Sequence, residues 1–361
     1  MIIMNFFEKV EEQGYYVIGE IGVNYYDIAK KNGTTPMEAA KLMIDEAKAS
    51  GMDAVKFQTY KAGTIATKNS PSYWDTTEEA TTSQYELFKK FDLFGYEEYK
   101  EISEYCKKQG IVFLSTPFDI ESSDYLEELM DVYKISSSDL TNTPFIKHMA
   151  KKQKPILIST GASNMEEIET AIRTIENEGN KDIVILHCVL EYPTPYEHAN
   201  LDMIKSLKEA FPEYVIGYSD HTKPDPNMDV VKAAVALGAP VIEKHFTLDK
   251  TLPGNDHYHA MDPDDMRTLK EGLSFLMKIR GSKDKISLES EAAARMNARR
   301  SLVSDQLISK GTVITEEMLT FKRPGTGISP SEIEKVIGKI AKEDIAEDTT
   351  LTYDHIEEDV R

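Results

Sequence analysis

Eight short apolar runs of β character recur along the first 250 or so residues, and nearly every one ends in polar or ionisable side chains: Val17–Glu20, Ala54–Gln58, Ile111–Thr116, Val132–Ser138, Pro155–Thr160, Ile183–His187, Val215–His221 and Val241–His245. Amphipathic stretches of helical periodicity separate them. This alternation predicts an α/β fold, a (β/α)8 or TIM barrel, in which all strand C-termini point into one mouth. That mouth should collect Glu, Lys, Gln, Ser, Thr, Asp and His side chains, and it is where barrel enzymes carry out their chemistry.

Local signals punctuate the pattern. Thr35-Pro36-Met37-Glu38 reads as a capping box with proline at the first helical position; the helix it opens runs to Ser50, and Gly51 stops it. Ser163 to Glu166 reads as a second capping box, opening a helix to about Glu176, and a closing helix spans about Pro263 to Arg280. Thr59 to Ser83, which holds Pro71 and Trp74, is long and weakly periodic, as expected of a βα loop over the mouth that can act as a lid. Leu252 to His257 is a turn-rich loop at the same end. Composition shifts after the closing helix: Gly281 to Arg295 is charged and small-residue rich, and Arg300 to about Glu357 returns as short β-like pieces separated by glycines. The expected organisation is a barrel over 1–285, a linker over 286–296 and a small domain over 297–361.

A chain of 361 residues, 40% hydrophobic and 29% charged, can fill one large core and still leave a second unit. A net charge of −20 argues against nucleic acid or an anionic membrane as a partner. Met1 to Gln13 is too short and too charged for a signal-peptide core, and no later run reaches the length of a membrane span. Two cysteines, Cys106 and Cys188, give neither a disulfide framework nor a cysteine metal cluster and read as core packing. A cytoplasmic location is expected.

His221 and His245 close consecutive strands, so their imidazoles can share one divalent ion and leave positions for water and a substrate oxygen. Lys56 and Lys134 sit inside apolar strands. Burying an ammonium there costs several kcal/mol unless an anion meets it, so the partner is either an anionic ligand or a carboxylate from Glu20, Asp139 or Glu243. Ser115, Thr116, Ser137, Ser159, Thr160 and Ser219 add hydroxyls at strand ends, and Gly161 permits close backbone approach; together they describe a phosphate or carboxylate cradle. Glu20 and Asp139 are the carboxylates placed to move a proton. His187, Tyr192 and Asp256 are weaker candidates, and His257 and His259 are expected in solvent.

Taken in order, Glu20-Ile21-Gly22-Val23-Asn24, Val55-Lys56-Phe57-Gln58, Ser115-Thr116-Pro117-Phe118, Tyr133-Lys134-Ile135 with Ser137, Leu157-Ile158-Ser159-Thr160-Gly161, Tyr192-Pro193-Thr194, Gly217 to Thr222 and Glu243-Lys244-His245-Phe246 resemble the sialic acid synthase family. Arg299 to Val303 and Lys322 to Gly327 are similar to that family's antifreeze-like (SAF, β-clip) domain. The resemblance implies a metal-dependent condensation of phosphoenolpyruvate with an N-acyl-hexosamine, the open-chain aldehyde of an N-acylated mannosamine-type sugar, giving a nine-carbon acid and phosphate. By similarity, His221 and His245 would hold Mn²⁺ or Mg²⁺, and Lys56, Gln58, Thr116, Lys134, Ser137, Ser159 and Ser219 would hold phosphoenolpyruvate. Glu20, Tyr192 and Asp256 would contact the sugar, and Asp139 takes the place of an essential carboxylate that is often glutamate. Arg323 would reach the sugar from the other subunit of a homodimer with exchanged C-terminal domains.

Two features depart from that pattern: Asn24-Tyr25-Tyr26-Asp27 replaces a common histidine-containing form, and Leu190-Glu191 precedes Tyr192 where an asparagine-like residue is usual. Both bear on the acceptor sugar and leave its substituents open. Two other readings stand beside the condensation. One is a Schiff-base aldolase using Lys134 or Lys244 on a keto acid. The other is a non-catalytic sugar-binding or coat component.

Overall fold

The computed structural model describes residues 6–357 except 75, 78 and 255, so the start of the N-terminal segment, Asn255 of the mouth loop and the last four residues lie outside the description. The chain divides into two compact units, Met1–Gly281 and Ser282–Arg361.

The first unit is the barrel. Its strands are β1 (Tyr16–Gly22), β2 (Ala54–Thr59), β3 (Val112–Pro117), β4 (Tyr133–Ile135), β5 (Ile156–Ser159), β6 (Ile183–Cys188), β7 (Val215–Asp220) and β8 (Val241–His245). All paired strands are parallel, in the order β3-β2-β1-β8-β7-β6-β5-β4, and β3 packs beside β4 at the seam. Helices α1 (Phe6–Gln13), α2 (Tyr25–Asn32), α3 (Pro36–Ser50), α4 (Ala62–Ile65), α5 (Gln84–Lys89), α6 (Tyr96–Gln109) and α7 (Ile120–Leu126) accompany the first half. Helices α8 (Thr143–Ala150), α9 (Met165–Glu176), α10 (Met203–Ala210), α11 (Asp229–Ala236) and α12 (Pro263–Arg280) accompany the second.

Period-2 alternation decides which residue goes where. Val17, Val55, Phe57, Phe113, Tyr133, Ile135, Ile158, Ile185, Ile216 and Ile242 face outward into one apolar layer shared with the helices. Tyr16, Ile18, Ala54, Leu114, Val132, Leu157, Val184, Leu186 and Val241 face inward and fill the lower half of the barrel. Helix α1 stoppers that end: Val10 joins the interior cluster, with Phe6 and Phe7 packed against it, and the Phe6 ring lies 4.8 Å from that of Tyr16. Continuing the same alternation toward the mouth places Glu20, Lys56, Thr116, Lys134, Ser159, Ser219, Glu243 and His245 on the inward rows.

The expected caps are mostly present. Thr35 makes a full capping box with Glu38, and Gly51 ends α3 in the left-handed region at φ 99°. The second box is shifted by one residue: Asn164 caps α9 through Glu167, while Ser163 Oγ donates instead to Gly161 O. An amide oxygen one residue later reaches the free N–H groups of the first turn, so it outcompetes the serine. Helix α2 was not anticipated, because Tyr25-Tyr26-Asp27 carries little helical propensity; its tyrosines are fixed by packing, Tyr25 stacking on Phe94 at 5.0 Å.

In the second unit, helix α13 (Ala292–Asn297) follows an exposed stretch, and β9 (Ser301–Ser304) pairs antiparallel with β10 (Leu319–Lys322). Isolated bridges such as Ile308↔Ile345 and Val313↔Ile340 enclose a separate core that includes Leu302, Ile314, Val336 and Leu351. Among the described residues, no helix is long and apolar enough to cross a membrane.

Gly217 tests the interior packing. A Cβ there would lie 2.3 Å from Leu186 Cδ2 and 2.6 Å from the Val241 carbonyl oxygen, which cannot move without breaking the β7–β8 ladder. Gly217→Ala should lower the unfolding free energy in urea titration by about 1–3 kcal/mol or more, the usual range for overpacking.

Candidate active site

A cavity of about 390 Å³ occupies the mouth. Glu20, Lys56, Gln58, Thr116, Lys134, Ser137, Asp139, Ser159, Tyr192, Ser219, His221, His245 and Asp256 all line it. Arg323 belongs to the second unit, exposed just after β10.

Register builds the floor. Glu20 in β1 is level with Lys56 in β2 and with His245 in β8. Lys56 Nζ lies 2.5 Å from Glu20 Oε2 and 3.8 Å from Glu243 Oε1, and Lys134 Nζ lies 3.7 Å from the same Glu243 oxygen. The lysines therefore find protein carboxylates, Glu20 and Glu243, whereas Asp139 takes its hydrogen bonds from Ser136 (2.8 Å) and Asn142 (3.3 Å). Lys56 also donates to Thr116 (2.9 Å), Lys134 to Ser159 (2.7 Å), Gln58 to Glu20 (2.9 Å) and Ser219 to Glu243 (3.1 Å). Gly161 earns its place by close approach: its N–H donates to Ser137 Oγ at 3.0 Å, and a Cβ would sit 2.8 Å from that oxygen.

These surroundings push the two glutamates apart. Burial, reinforced by the Glu243 carboxylate, outweighs Lys56 and raises Glu20 to about 7. Glu243 is equally buried, but two ammonium groups face it and hold it below the usual carboxylate range. Burial, with Lys56 as a like-charged neighbour, lowers Lys134. Asp139 and Asp256 are both raised, chiefly by burial. Two carboxyls side by side, one kept ionised and one titrating near neutrality, form an acid–base pair set by environment.

The imidazoles gather at the ends of β7 and β8, where His245 is level with Glu20. The ring centroids of His221 and His245 are 5.5 Å apart, and the Tyr192 ring lies 4.1 Å from His221. Nδ1 of His221 is 2.8 Å from the Val189 carbonyl oxygen and 3.8 Å from Cys188 Sγ, and these neighbours outweigh burial and raise the imidazole above its ordinary value. Burial, with His259 and His221 nearby, holds His245 well below its ordinary value and therefore neutral. Among the described residues its buried Nδ1 has no hydrogen-bond partner, with Asp256 Oδ2 at 3.8 Å. Ligand atoms of His245, Asp256 and His259 lie within 4.8 Å of one another. A neutral His245 whose buried Nδ1 has no partner, beside Asp256 and His259, fits a divalent cation.

Several sequence expectations need correcting. His257 and His259 are buried, not solvated: His257 Nδ1 meets Thr247 Oγ1 at 2.8 Å, and the His259 ring sits 4.8 Å from that of His245. Ser115 and Thr160 do not line the cavity; Ser115 pairs with Thr59 at 2.6 Å, and Thr160 donates to Leu186 O at 3.0 Å. His187 points outward, stacking on Tyr218 at 5.5 Å and meeting Ala199 O at 2.8 Å. Lys244 also faces outward, locked to Asp220 at 2.6 Å. Cys188, read as packing, borders the cavity with Sγ 3.8 Å from His221 Nδ1. The loop expected over the mouth does contribute to its lining, through Tyr73, Trp74 and Glu79.

Fold and site together define a class: a (β/α)8 barrel whose mouth combines buried ammonium–carboxylate pairs with a histidine cluster, followed by a small β-rich unit. A sequence profile of the NeuB family matches residues 43–285, and one of the SAF domain matches residues 299–357. The chain is 41% identical over 340 residues to the N,N'-diacetyllegionaminic acid synthase of Campylobacter jejuni, covering 93% of this chain and 98% of that protein. It is 38% identical over 349 residues to the N,N'-diacetyllegionaminic acid synthase of Legionella pneumophila, covering 95% and 94%. Among solved structures, the N-acetylneuraminic acid (sialic acid) synthetase of Leptospira borgpetersenii in complex with citrate aligns with a TM-score of 0.66 at 31% identity, covering 78% of this chain and 90% of that one. The chain belongs to the NeuB, or sialic acid synthase, family.

Two measurements probe the electrostatics. Glu20 is raised from 4.5 to about 7 on folding, so its contribution to stability is full below pH 4.5 and is lost as pH rises through 7. Unfolding free energies measured from pH 4 to 8 should therefore fall more steeply for wild type than for Glu20→Gln; parallel curves would contradict the shift. Asp220 resists burial through Lys244 and Thr222, which hold it below the usual range. Asp220→Ala strands the Lys244 ammonium and should lose about 3–5 kcal/mol in chemical unfolding.

Proposed function

We propose that this protein condenses phosphoenolpyruvate with the open-chain aldehyde of an N-acylated mannosamine-type sugar, forming a nonulosonic acid and phosphate. The observation that carries the reading is the floor itself: two ammonium groups and four hydroxyls in reach of one another, level with an acid–base glutamate and facing the imidazole cluster.

Lys56 and Lys134, with Thr116, Ser137, Ser159, Ser219 and Gln58, bind and orient the enol ester's phosphate and carboxylate. Their hydrogen bonds exist before substrate arrives, so little reorganisation accompanies binding. A divalent cation, Mn²⁺ or Mg²⁺, held by His221 and His245 with Asp256 and His259 beside them, would polarise the aldehyde oxygen as a Lewis acid. Carbon 3 of the enol ester bonds to the aldehyde carbon, water adds at carbon 2, and the resulting tetrahedral carbon expels phosphate. Glu20 is suited to moving the protons this requires, because its carboxyl titrates near neutrality. Asp139, at the opposite wall, is the second proton-handling carboxyl. Tyr192 and Asp256 face the sugar, and Arg323 of an exchanged C-terminal domain in a homodimer adds a guanidinium to it. Phosphoenolpyruvate supply puts the reaction in the cytoplasm.

A second reading is imine chemistry on Lys134, favoured by its lowered basicity and its position in the cavity. Lys244 is removed from that role by its outward ion pair.

Phosphate release from phosphoenolpyruvate, measured with N-acyl-hexosamines in the presence of Mn²⁺ and again with EDTA, separates the two. Condensation predicts release that EDTA abolishes. Substrate-dependent inactivation by borohydride with full activity in EDTA would establish the imine instead. His221→Ala should lose bound metal by elemental analysis and fall at least about 100-fold in turnover, the range seen for loss of one electrostatic group. Arg323→Ala and His221→Ala, each inactive, should regain activity when refolded together, because a mixed dimer contains one intact site; no recovery would count against exchange.

A further inference from the structure

The loop that brings Asp256 and His259 to the cavity runs from the end of β8 to α12, and backbone hydrogen bonds clamp its two stems. Thr247 N–H donates to Met261 O at 3.0 Å, and Met261 N–H donates to His245 O at 2.8 Å. Among the described residues between the stems there is no strand or helix, so the alternation that places His245 does not place Asp256 and His259. Contacts from outside the loop have to fix them.

Helix α2 supplies three such contacts from one face. Asn24, its N-cap, donates through Nδ2 to Phe246 O at 3.0 Å; Asp27 in the first turn meets His257 Nε2 at 3.4 Å; Lys31 in the last turn pairs with Asp249. Spacings of three and four residues align all three toward the loop. Their consequences differ. Asn24 acts at a stem that the backbone already holds, and Lys31 forms an exposed ion pair of the kind that contributes about 0–1 kcal/mol. Asp27 grips the residue that follows Asp256 and precedes His259 by two. His257 is buried, and both of its nitrogens are spent within the protein, Nε2 on Asp27 and Nδ1 on Thr247 Oγ1 at 2.8 Å. The ring is therefore a strut between a loop stem and α2, with no nitrogen left for a cation.

We propose that Asp27 is a positioning residue for the cation site: through His257 it holds the loop so that Asp256 and His259 stand within reach of His245. The proposal rests on the cation assignment made above. Asp27 also lines the cavity that Asp256 lines, so its negative charge faces the same region as the cation, and the brace has to be told apart from the charge.

Mn²⁺ binding, read from the electron paramagnetic resonance signal of the free aqueous ion, makes that separation, with the site defined as the one that His245→Ala removes. Asp27→Ala should weaken binding by about tenfold or more, the scale for losing a partner that orients metal ligands. Asp27→Asn keeps an oxygen that accepts from His257 Nε2–H; it and Lys31→Ala should each stay within about threefold of wild type, the scale of one exposed ion pair. Equal losses in Asp27→Ala and Asp27→Asn would make Asp27 a charge and not a brace, and unchanged binding in both would remove it from the site. Either result overturns the proposal and leaves the cation assignment standing. Wild type binding no more Mn²⁺ than His245→Ala would end that assignment and this one with it. His257→Ala breaks the strut from its other end and takes the place of Asp27→Ala should that variant not fold. It should match Asp27→Ala, and the double variant should bind no more weakly than either single one; additive losses would overturn the strut.

Discussion

A closed parallel barrel admits only every second residue of each strand to its interior, and the rest of this molecule follows from that restriction. The lower inward rows are apolar and fill the barrel; the rows above them carry Glu20, Lys56, Thr116, Lys134, Ser159, Ser219, Glu243 and His245. A slip of one residue in β1, β2, β4, β5, β7 or β8 would exchange a floor residue for an apolar or aromatic neighbour such as Ile21, Val55, Tyr133, Ile158, Tyr218 or Ile242, now packed under the helices. The placement of the floor residues and hydrophobic burial are thus fixed by the same alternation.

Within that frame the electrostatics are arranged in opposed pairs. Removing an ammonium from water is tolerable only where a carboxylate and hydroxyls take the place of solvent, and both floor lysines have that company. The outcome is asymmetric because Glu243 is shared by two lysines while Glu20 has one and also feels Glu243. The outward Lys244–Asp220 pair does different work: with Tyr218 and Thr222 hydrogen-bonded to Asp220, it stiffens the strand segment that leads into His221. The same chemical pairing stiffens a strand end on one side of the sheet and lines the mouth cavity on the other.

The barrel was legible in the sequence because each strand has strong apolar alternation and each principal helix a stop or cap. The site was legible wherever a strand's inward row could be followed to its end, as with Lys134 through Ser159 to Ser219. Where strand-end residues were taken as a group, the reading failed: Ser115, Thr160 and His187 lie on outward or flanking positions, one residue from Thr116, Ser159 and Cys188, which face in. Cys188 stands two residues after Leu186 in β6, so alternation alone identifies it. His257 and His259 lie in a loop, where no periodicity reports burial; their placement depends on tertiary contacts with Asp27, Thr247 and His245. The capping box at α9 was missed by one residue because serine and asparagine are both good caps, and only backbone geometry chooses between them.

Helix α1 gives the barrel one further property. With Val10 in the interior cluster and Phe6 and Phe7 packed against it, the cylinder is a blind well and not a tunnel. Among the described residues the mouth is the end left open, so under the proposed condensation an enol ester resting on the ammonium floor would lie underneath the acceptor that arrives later. A deep occupant is trapped until the shallow one departs, which imposes a queue on any pair of reactants before chemistry begins.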